Sequence, residues 1–380
     1  MTEVFVTAAV RSPVTRRRGP LSEIHPVDLM AQVLESAVAR SGIDPALIDD
    51  VVLGCVGQVG AQAYNIARTA ALSAGLPDSV PGVTVDRQCG SSQQAIQFAT
   101  QAIRSGDQQV VIAGGIEVMS LVGIGASGAS SLGMGHPRGG IRWRARFAEA
   151  EISQFRGAEM LAERWKISRK DMEAFALRSH QRASDAITAG TFDEEIVTVG
   201  ATRRDNGARS DTTTEKMALL DPVIPGGLIT AAVSSQISDG AAALVLASGK
   251  AVDQYGLNPL ARVRATSVVG SDPVIMLSGP IPATERALAR AELRAEDIDL
   301  FEVNEAFASV PLAWEKELQV DPDKVNVLGG AIALGHPLGA TGARIMTTLV
   351  HQLRRTGGRL GLQAICEGGG MANATIIEVV

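Results

Sequence analysis

The hydrophobic pattern of the first 118 residues switches repeatedly between two periods. Residues 4–10, VFVTAAV, form a short apolar run, whereas 26–42, PVDLMAQVLESAVARSG, repeat apolar positions every three to four residues up to Gly42. The run predicts a strand, and the longer segment predicts a helix closed by glycine. Residues 49–57 (DDVVLGCVG), 82–88 (GVTVDRQ) and 108–120 (QQVVIAGGIEVMS) read as further strands, with helices over 65–75 and after Cys89. Such alternation predicts a largely parallel sheet with helices on both faces.

The pattern changes over 119–241. Residues 121–140 are rich in Gly, Ser and Ala with little periodicity, 157–190 are helical, and a charged loop spans Arg203–Asp211. This reads as a long surface insertion of the kind that holds a substrate. Alternation resumes near 242: helix 282–293, strand 297–303, helix 305–318, strand 325–330 (VNVLGG), a helix opened by His336, and strand 359–366. The last third therefore repeats the layout of the first.

Composition narrows the class. The 380 residues have a mean hydropathy of +0.14 and 46% hydrophobic residues, enough for two or three domains with substantial cores. Aromatic residues are only 3%, while glycines number 40, which predicts close packing through small side chains. A net charge of −6 gives no general attraction to nucleic acid or acidic membranes, and Arg16-Arg17-Arg18 reads as a solvated loop. The three cysteines, Cys55, Cys89 and Cys366, suit a reducing compartment. With no signal pattern and no apolar run long enough to span a membrane, the expectation is a cytoplasmic protein.

Two loops carry the chemistry. In 83–103 and again in 325–350 a β-branched strand runs into a small-residue turn and then a helix, with Cys89 at one helix start and His336 at the other. A helix N-terminus favours an anion, so the first loop predicts a stabilised thiolate. An arbitrary cysteine is most often a buried structural thiol, but the polar run Asp86-Arg87-Gln88 ahead of Cys89 favours a nucleophile. His336, in Gly335-His336-Pro337, reads either as a capping histidine or as the base that deprotonates Cys89. Cys366 ends a strand before Glu367-Gly368-Gly369-Gly370, a turn that exposes backbone N–H groups. Asn304 follows a strand, where open α/β sheets keep ligands, or else caps a helix; Glu305 reads as a first-turn acid. The segment Gly123–Gly128 matches G-x-G-x-x-G, but no helical periodicity follows, so no dinucleotide site is expected. No zinc spacing is present, and Cys55 and His25 read as structural.

Five motifs together resemble the thiolases over essentially the whole chain: CGSS at 89–92, SSQISDGAAA at 234–243, NEAFA at 304–308, GHPLGATGAR at 335–344 and CEGGG at 366–370. The resemblance implies an α/β fold of two duplicated βαβαβαββ halves in a five-layer αβαβα core. It divides the chain into an N-terminal half (1–118 with 242–260), a loop domain over CoA (119–241) and a C-terminal half (261–380). It implies Cys89 as acyl-accepting nucleophile, His336 as its base and Cys366 as acid/base at the substrate α-carbon. Asn304 would hold a water that completes one oxyanion hole with His336, and the N–H groups of Cys89 and Gly368 would form the other. Ser235 would contact pantetheine or be an ordinary loop serine; Phe307 would line the tunnel or be a core aromatic.

One stretch departs from a branch of the family. Biosynthetic acetoacetyl-CoA thiolases usually carry a His-Met pair where this chain has Ser153-Gln154-Phe155-Arg156, and an Asn where Val233 stands. Gln154 and Phe155 instead resemble degradative thiolases, including those acting on bulky or steroid-derived acyl groups. The implied activity is thiolytic cleavage of 3-ketoacyl-CoA by ping-pong kinetics, in fatty-acid β-oxidation or steroid breakdown. CoA would be a co-substrate, with no covalently bound cofactor and no metal, in a homodimer or homotetramer. A biosynthetic thiolase is the alternative; a ketosynthase-like enzyme, which would want a histidine in place of Asn304, and a non-catalytic acyl-CoA- or sterol-binding protein are remoter ones.

Overall fold

Apolar runs that alternate faces along each strand set the architecture. A computed structural model describes residues 2–128, 133–147 and 150–380; residues 129–132 and 148–149 of the expected insertion lie outside the described residues. Its strands are β1 Val4–Arg11, β2 Thr15–Arg16, β3 Asp50–Gly54, β4 Gly82–Val85, β5 Val110–Val118, β6 Ser238–Ser248, β7 Ala261–Gly270, β8 Leu300–Val303, β9 Leu360–Glu367 and β10 Met371–Val379. They connect in the order β4-β3-β5-β6-β1-β7-β10-β9-β8, with β2 beside β6.

The duplication expected from the layout appears in the pairing. β3 runs parallel to β4 and β5, and β5–β6 and β6–β1 are antiparallel. In the second half, β8 runs parallel to β9, with β9–β10 and β10–β7 antiparallel, and Phe301 pairs in parallel with Val325 where β4 would lie. β1 and β7 join the two half-sheets by pairing Phe5 with Arg262 and Val6 with Ala261.

Helices Ser91–Ser105 and Thr341–Thr356 lie between the half-sheets, where Ile96 and Ile103 meet Met346 and Leu349 together with Val111, Leu246 and Ile377. The opposite faces carry helix Pro26–Ser41, with Leu29 and Leu34 on Leu53 and Ile112, and helix Pro280–Ala291, with Ala287 and Leu288 near Phe301 and Trp314. The result is the five-layer helix–sheet–helix–sheet–helix stack. Small residues make the central layer thin: a Cβ on Gly342 would meet the Gln93 nitrogen at 2.3 Å. Glutamines satisfy buried backbone there, with Gln363 Nε2 donating to the Gly342 carbonyl at 2.8 Å.

Three expected elements differ. Residues 325–330 form no strand beyond Val325, because Asn326 turns left-handed (φ 47) and its side chain takes over the ladder, accepting from Val303 N and donating to Val303 O, each at 2.8 Å. The helix expected from residue 305 begins at Ser309. Residues 304–308 instead run alongside 233–235, with Ser235 N donating to Ala306 O and Ala308 N to Val233 O. The helical stretch 157–190 is two helices, Gln154–Arg164 and Arg169–Thr188, parted by Lys166 (φ 51) and restarted by a Ser168–Asp171 capping box. Both pack on the C-terminal half, where Leu161, Phe175 and Met217 join Phe307, Ile332 and Cys366. Among the described residues no helix is long and apolar enough to cross a membrane.

Candidate active site

Cys89 stands at the end of a tight turn rather than inside a helix. Asp86 Oδ1 accepts from Gln88 N at 2.7 Å, Gln88 is left-handed (φ 49), and Gly90 precedes the helix that starts at Ser91. Ser91 Oγ closes the turn, accepting from Arg87 N at 2.9 Å and donating to Gln88 O at 2.6 Å. The thiol is half-buried, and the N–H groups of Cys89 itself and of Gly368 point at its sulfur. These N–H groups favour the thiolate, but burial first and the Glu367 carboxylate second outweigh them and push the thiol up to about 12. The thiolate expected from the helix start is therefore corrected to a neutral resting thiol.

His336 is not at a helix start either. It sits between the short helix Ala331–Leu334 and the turn Leu338–Ala340, ahead of the helix that begins at Thr341. Gly335 makes room for it at φ 109, where a Cβ would meet Ser238 Oγ at 2.1 Å. Its Nδ1 lies 2.6 Å from Thr341 Oγ1, which donates its own proton to Pro337 O at 2.7 Å. That hydroxyl must therefore accept from Nδ1–H, which leaves Nε2 with a free lone pair facing Asn304 Nδ2 at 3.3 Å. Burial, helped by the Arg344 charge, lowers His336 to about 3, so the imidazole is neutral.

Asn304 continues the β8 ladder, its N–H donating to Ala364 O at 3.0 Å, while its buried Oδ1 has no protein partner. Cys366 is buried near the end of β9, and burial and the nearby Cys89 raise its thiol well above the ordinary value. Gly369 and Gly370, at φ 87 and 77, reverse the chain and present Gly368.

A cavity of about 580 Å³ brings Cys89, Cys366, Gly368 and Gln154 together. Leu338, two residues after His336, and Ala306, two after Asn304, also line it. The glycines Gly123 and Gly125 of the G-x-G-x-x-G segment form part of its wall, beside Ile124 and Trp143. Phe307 and Phe155 pack edge-to-face behind this space, with ring centroids 5.4 Å apart. A second cavity of about 280 Å³ is lined by His180, Arg209, Lys216, Ser234 and Gln236; Ser235 borders neither space and is tied to Ala306 through its backbone.

Some partners were not apparent from the motifs. Glu305 is no first-turn acid: it is buried, accepting from Ser179 Oγ (2.7 Å), Asn326 Nδ2 (3.0 Å) and Ile332 N (3.0 Å). Thr341 stands inside GHPLGATGAR, yet its bond to His336 depends on the turn between them. His25 caps its helix by accepting from Val27 N, and Cys55 is a buried free thiol, both structural placements. Among the described residues no group of three or more His, Cys, Asp or Glu is placed to hold a metal ion.

Comparison with known proteins gives one answer throughout. Residues 4–250 match the model of the thiolase N-terminal domain and 257–379 that of the thiolase C-terminal domain. The chain is 54% identical over 389 residues to the steroid 3-ketoacyl-CoA thiolase FadA6 of Mycobacterium tuberculosis, covering 100% of this chain and 94% of the relative. The crystal structure of human mitochondrial 3-ketoacyl-CoA thiolase in complex with CoA superposes with a TM-score of 0.91 at 37% identity, covering 100% and 98% of the two chains. Bacillus anthracis acetyl-CoA acetyltransferase superposes with a TM-score of 0.90 at 42% identity over 100% and 99%. With both family domains matched and the duplicated five-layer fold in place, the chain belongs to the thiolases, a family of acyltransferases.

Proposed function

We propose that the chain is a 3-ketoacyl-CoA thiolase of the degradative kind. The observation that carries this reading is the pairing of two thiols, Cys89 and Cys366, on one cavity that is also lined by Leu338, two residues after the neutral, buried His336. In this scheme His336 Nε2 takes the Cys89 proton as sulfur attacks the keto carbon, and the oxyanion is met by paired donors. Each such donor is worth about 3 kcal/mol of barrier. Two hydrogen-bonding sets suit the role: the N–H groups of Cys89 and Gly368, and Asn304, through a water, with His336. The C2–C3 bond breaks, and the electron pair left on C2 takes the Cys366 proton, giving acetyl-CoA or propionyl-CoA. CoA then passes its proton to the Cys366 thiolate and attacks the acyl-Cys89 thioester, while the Cys89 sulfur recovers its proton from His336. Every proton returns to its starting atom.

Residues 119–241 act as the loop domain over CoA between the two halves, with the cations Arg209 and Lys216 of the smaller cavity suited to its phosphates. CoA is a substrate in this reading, alongside the acyl-CoA. The cavity beyond the cysteines, walled by Met276, Leu277, Trp143 and Gln154, favours a bulky acyl group over acetoacetyl, and the similarity to a steroid thiolase supports this. A homodimer or homotetramer in the cytoplasm completes the proposal. Incubating the protein with acetoacetyl-, 3-ketooctanoyl- and steroid-side-chain-CoA plus CoA tests it: preference for the bulkier substrates is expected, and preference for acetoacetyl-CoA would favour the biosynthetic alternative. Cys366→Ser should spare acylation of Cys89 by acyl-CoA while blocking carbon–carbon cleavage; equal loss of both contradicts the division of roles.

A further inference from the structure

We propose that Glu117 is a positioning residue that holds the His336 loop in place, an inference that rests on the role given to His336 above. Glu117, near the end of β5, is 1% exposed. Its Oε2 accepts from Gly339 N and Val56 N, both at 2.9 Å, and its Oε1 from Gly57 N at 3.0 Å and Gln62 Nε2 at 2.8 Å. One carboxylate thus binds the loop three residues beyond His336 to the chain leaving β3. Gln62 braces it by accepting from Val118 N at 2.8 Å.

The loop has no other place to go. A Cβ on Gly339 would meet Ile116 O at 2.6 Å and Glu117 Oε2 at 2.8 Å, and one on Gly115 would meet Gly339 O at 2.0 Å. Three glycines, Gly54, Gly115 and Gly339, let backbone rest on backbone, and Glu117 supplies the directed bond that fixes the register of the contact.

The internal duplication explains the placement. The ladders open on Asp50 opposite Val111 and on Leu300 opposite Gly361, and Asp49 and Asp299 each accept through Oδ2 from the facing strand, from Val110 N and Leu360 N. Residues 250 apart are therefore equivalent, and Glu117 corresponds to Glu367. Each carboxylate lies against a glycine of one of the two loops: Glu117 against Gly339, beyond His336, and Glu367 against Gly90, beyond Cys89.

Acylation of Cys89 by acetyl-CoA, followed by intact mass in rapid-quench single turnovers, separates positioning from general support. Glu117→Gln should slow acylation by at least about tenfold, the size expected for a misplaced base, with the CoA KM within about twofold. If Glu117 acts through His336, Glu117→Gln should add nothing further in a His336→Ala background. Independent, additive losses, or a Glu117→Gln rate equal to wild type, overturn the proposal. If His336→Ala itself acylates at the wild-type rate, the role of His336 fails instead. Should Glu117→Gln not fold, Gln62→Met carries the test: slower acylation that disappears in the His336→Ala background supports the proposal, and an unchanged rate overturns it.

Discussion

Removing the imidazole at position 336 tests how the nucleophile becomes reactive. Burial and Glu367 push the Cys89 thiol up to about 12, so at pH 7 roughly one molecule in 10⁵ carries a thiolate. An ordinary cysteine near 8.5 would be ionised to about 3%. Attack therefore depends on proton removal during the reaction, and Nε2 of a histidine lowered to about 3 is an unprotonated base at every working pH. Two profiles follow. Wild-type acylation should be nearly flat with pH from 5 to 9, because neither partner titrates there. His336→Ala should lose about 10²–10⁴ in rate, and its residual rate should climb close to tenfold per pH unit as hydroxide replaces the base. Glu367, raised to about 8 mainly by burial, is the neighbour able to bend the wild-type profile, so the measurement is repeated in Glu367→Gln. A sigmoid centred between pH 6 and 8 that survives in Glu367→Gln would report a preformed thiolate–imidazolium pair and refute the neutral-pair reasoning.

Two further outcomes are expected. Thr341→Val keeps the shape of the side chain but removes the acceptor for Nδ1–H, releasing the tautomer; kcat should fall by about 10- to 100-fold with KM little changed, and steady-state kinetics showing no loss would remove Thr341 from the site. Glu367 also ties stability to pH. Its carboxyl rises from an ordinary 4.5 to about 8 on folding, so between these values the folded chain holds a proton that the unfolded chain has released. Stability from this group is therefore full below about 4.5 and lost as pH rises towards 8. Thermal melts of wild type should decline across that window relative to Glu367→Gln, and a constant offset between the two would contradict the assignment.

Much of this fold is legible because its strands are short and apolar and several of its helices end at glycine. Gly42 closes the first helix at φ 72, as its position suggested. β6 is not legible in SDGAAALVLAS, which is buried along its whole length and leaves no alternation to read. β7 does alternate buried and partly exposed positions along ARVRATSVVG, whereas β10 is buried along all but its ends. The site was legible as five motifs but not as electrostatics. A cysteine near a helix start suggested a thiolate, whereas its protonation is set by burial and by Glu367 from a strand nearly 280 positions away. The same holds for 304–308, where an acid followed by apolar residues looks helical locally. There the backbone is claimed by 233–235 and Glu305 by three distant donors.

The thin central layer has a consequence for how the chain is assembled and how it evolves. Each half contributes one of the two middle helices, and each middle helix is walled on its far side by the other half's sheet. A half released on its own would expose the part of its inner sheet face that the other half's helix covers, together with the far side of its own middle helix. The duplication thus behaves as an obligate dimer confined to one polypeptide, in which neither copy is free to drift alone. Substitutions in the middle layer are felt by Cys89 and His336 together, so the two loops are bound to change in step.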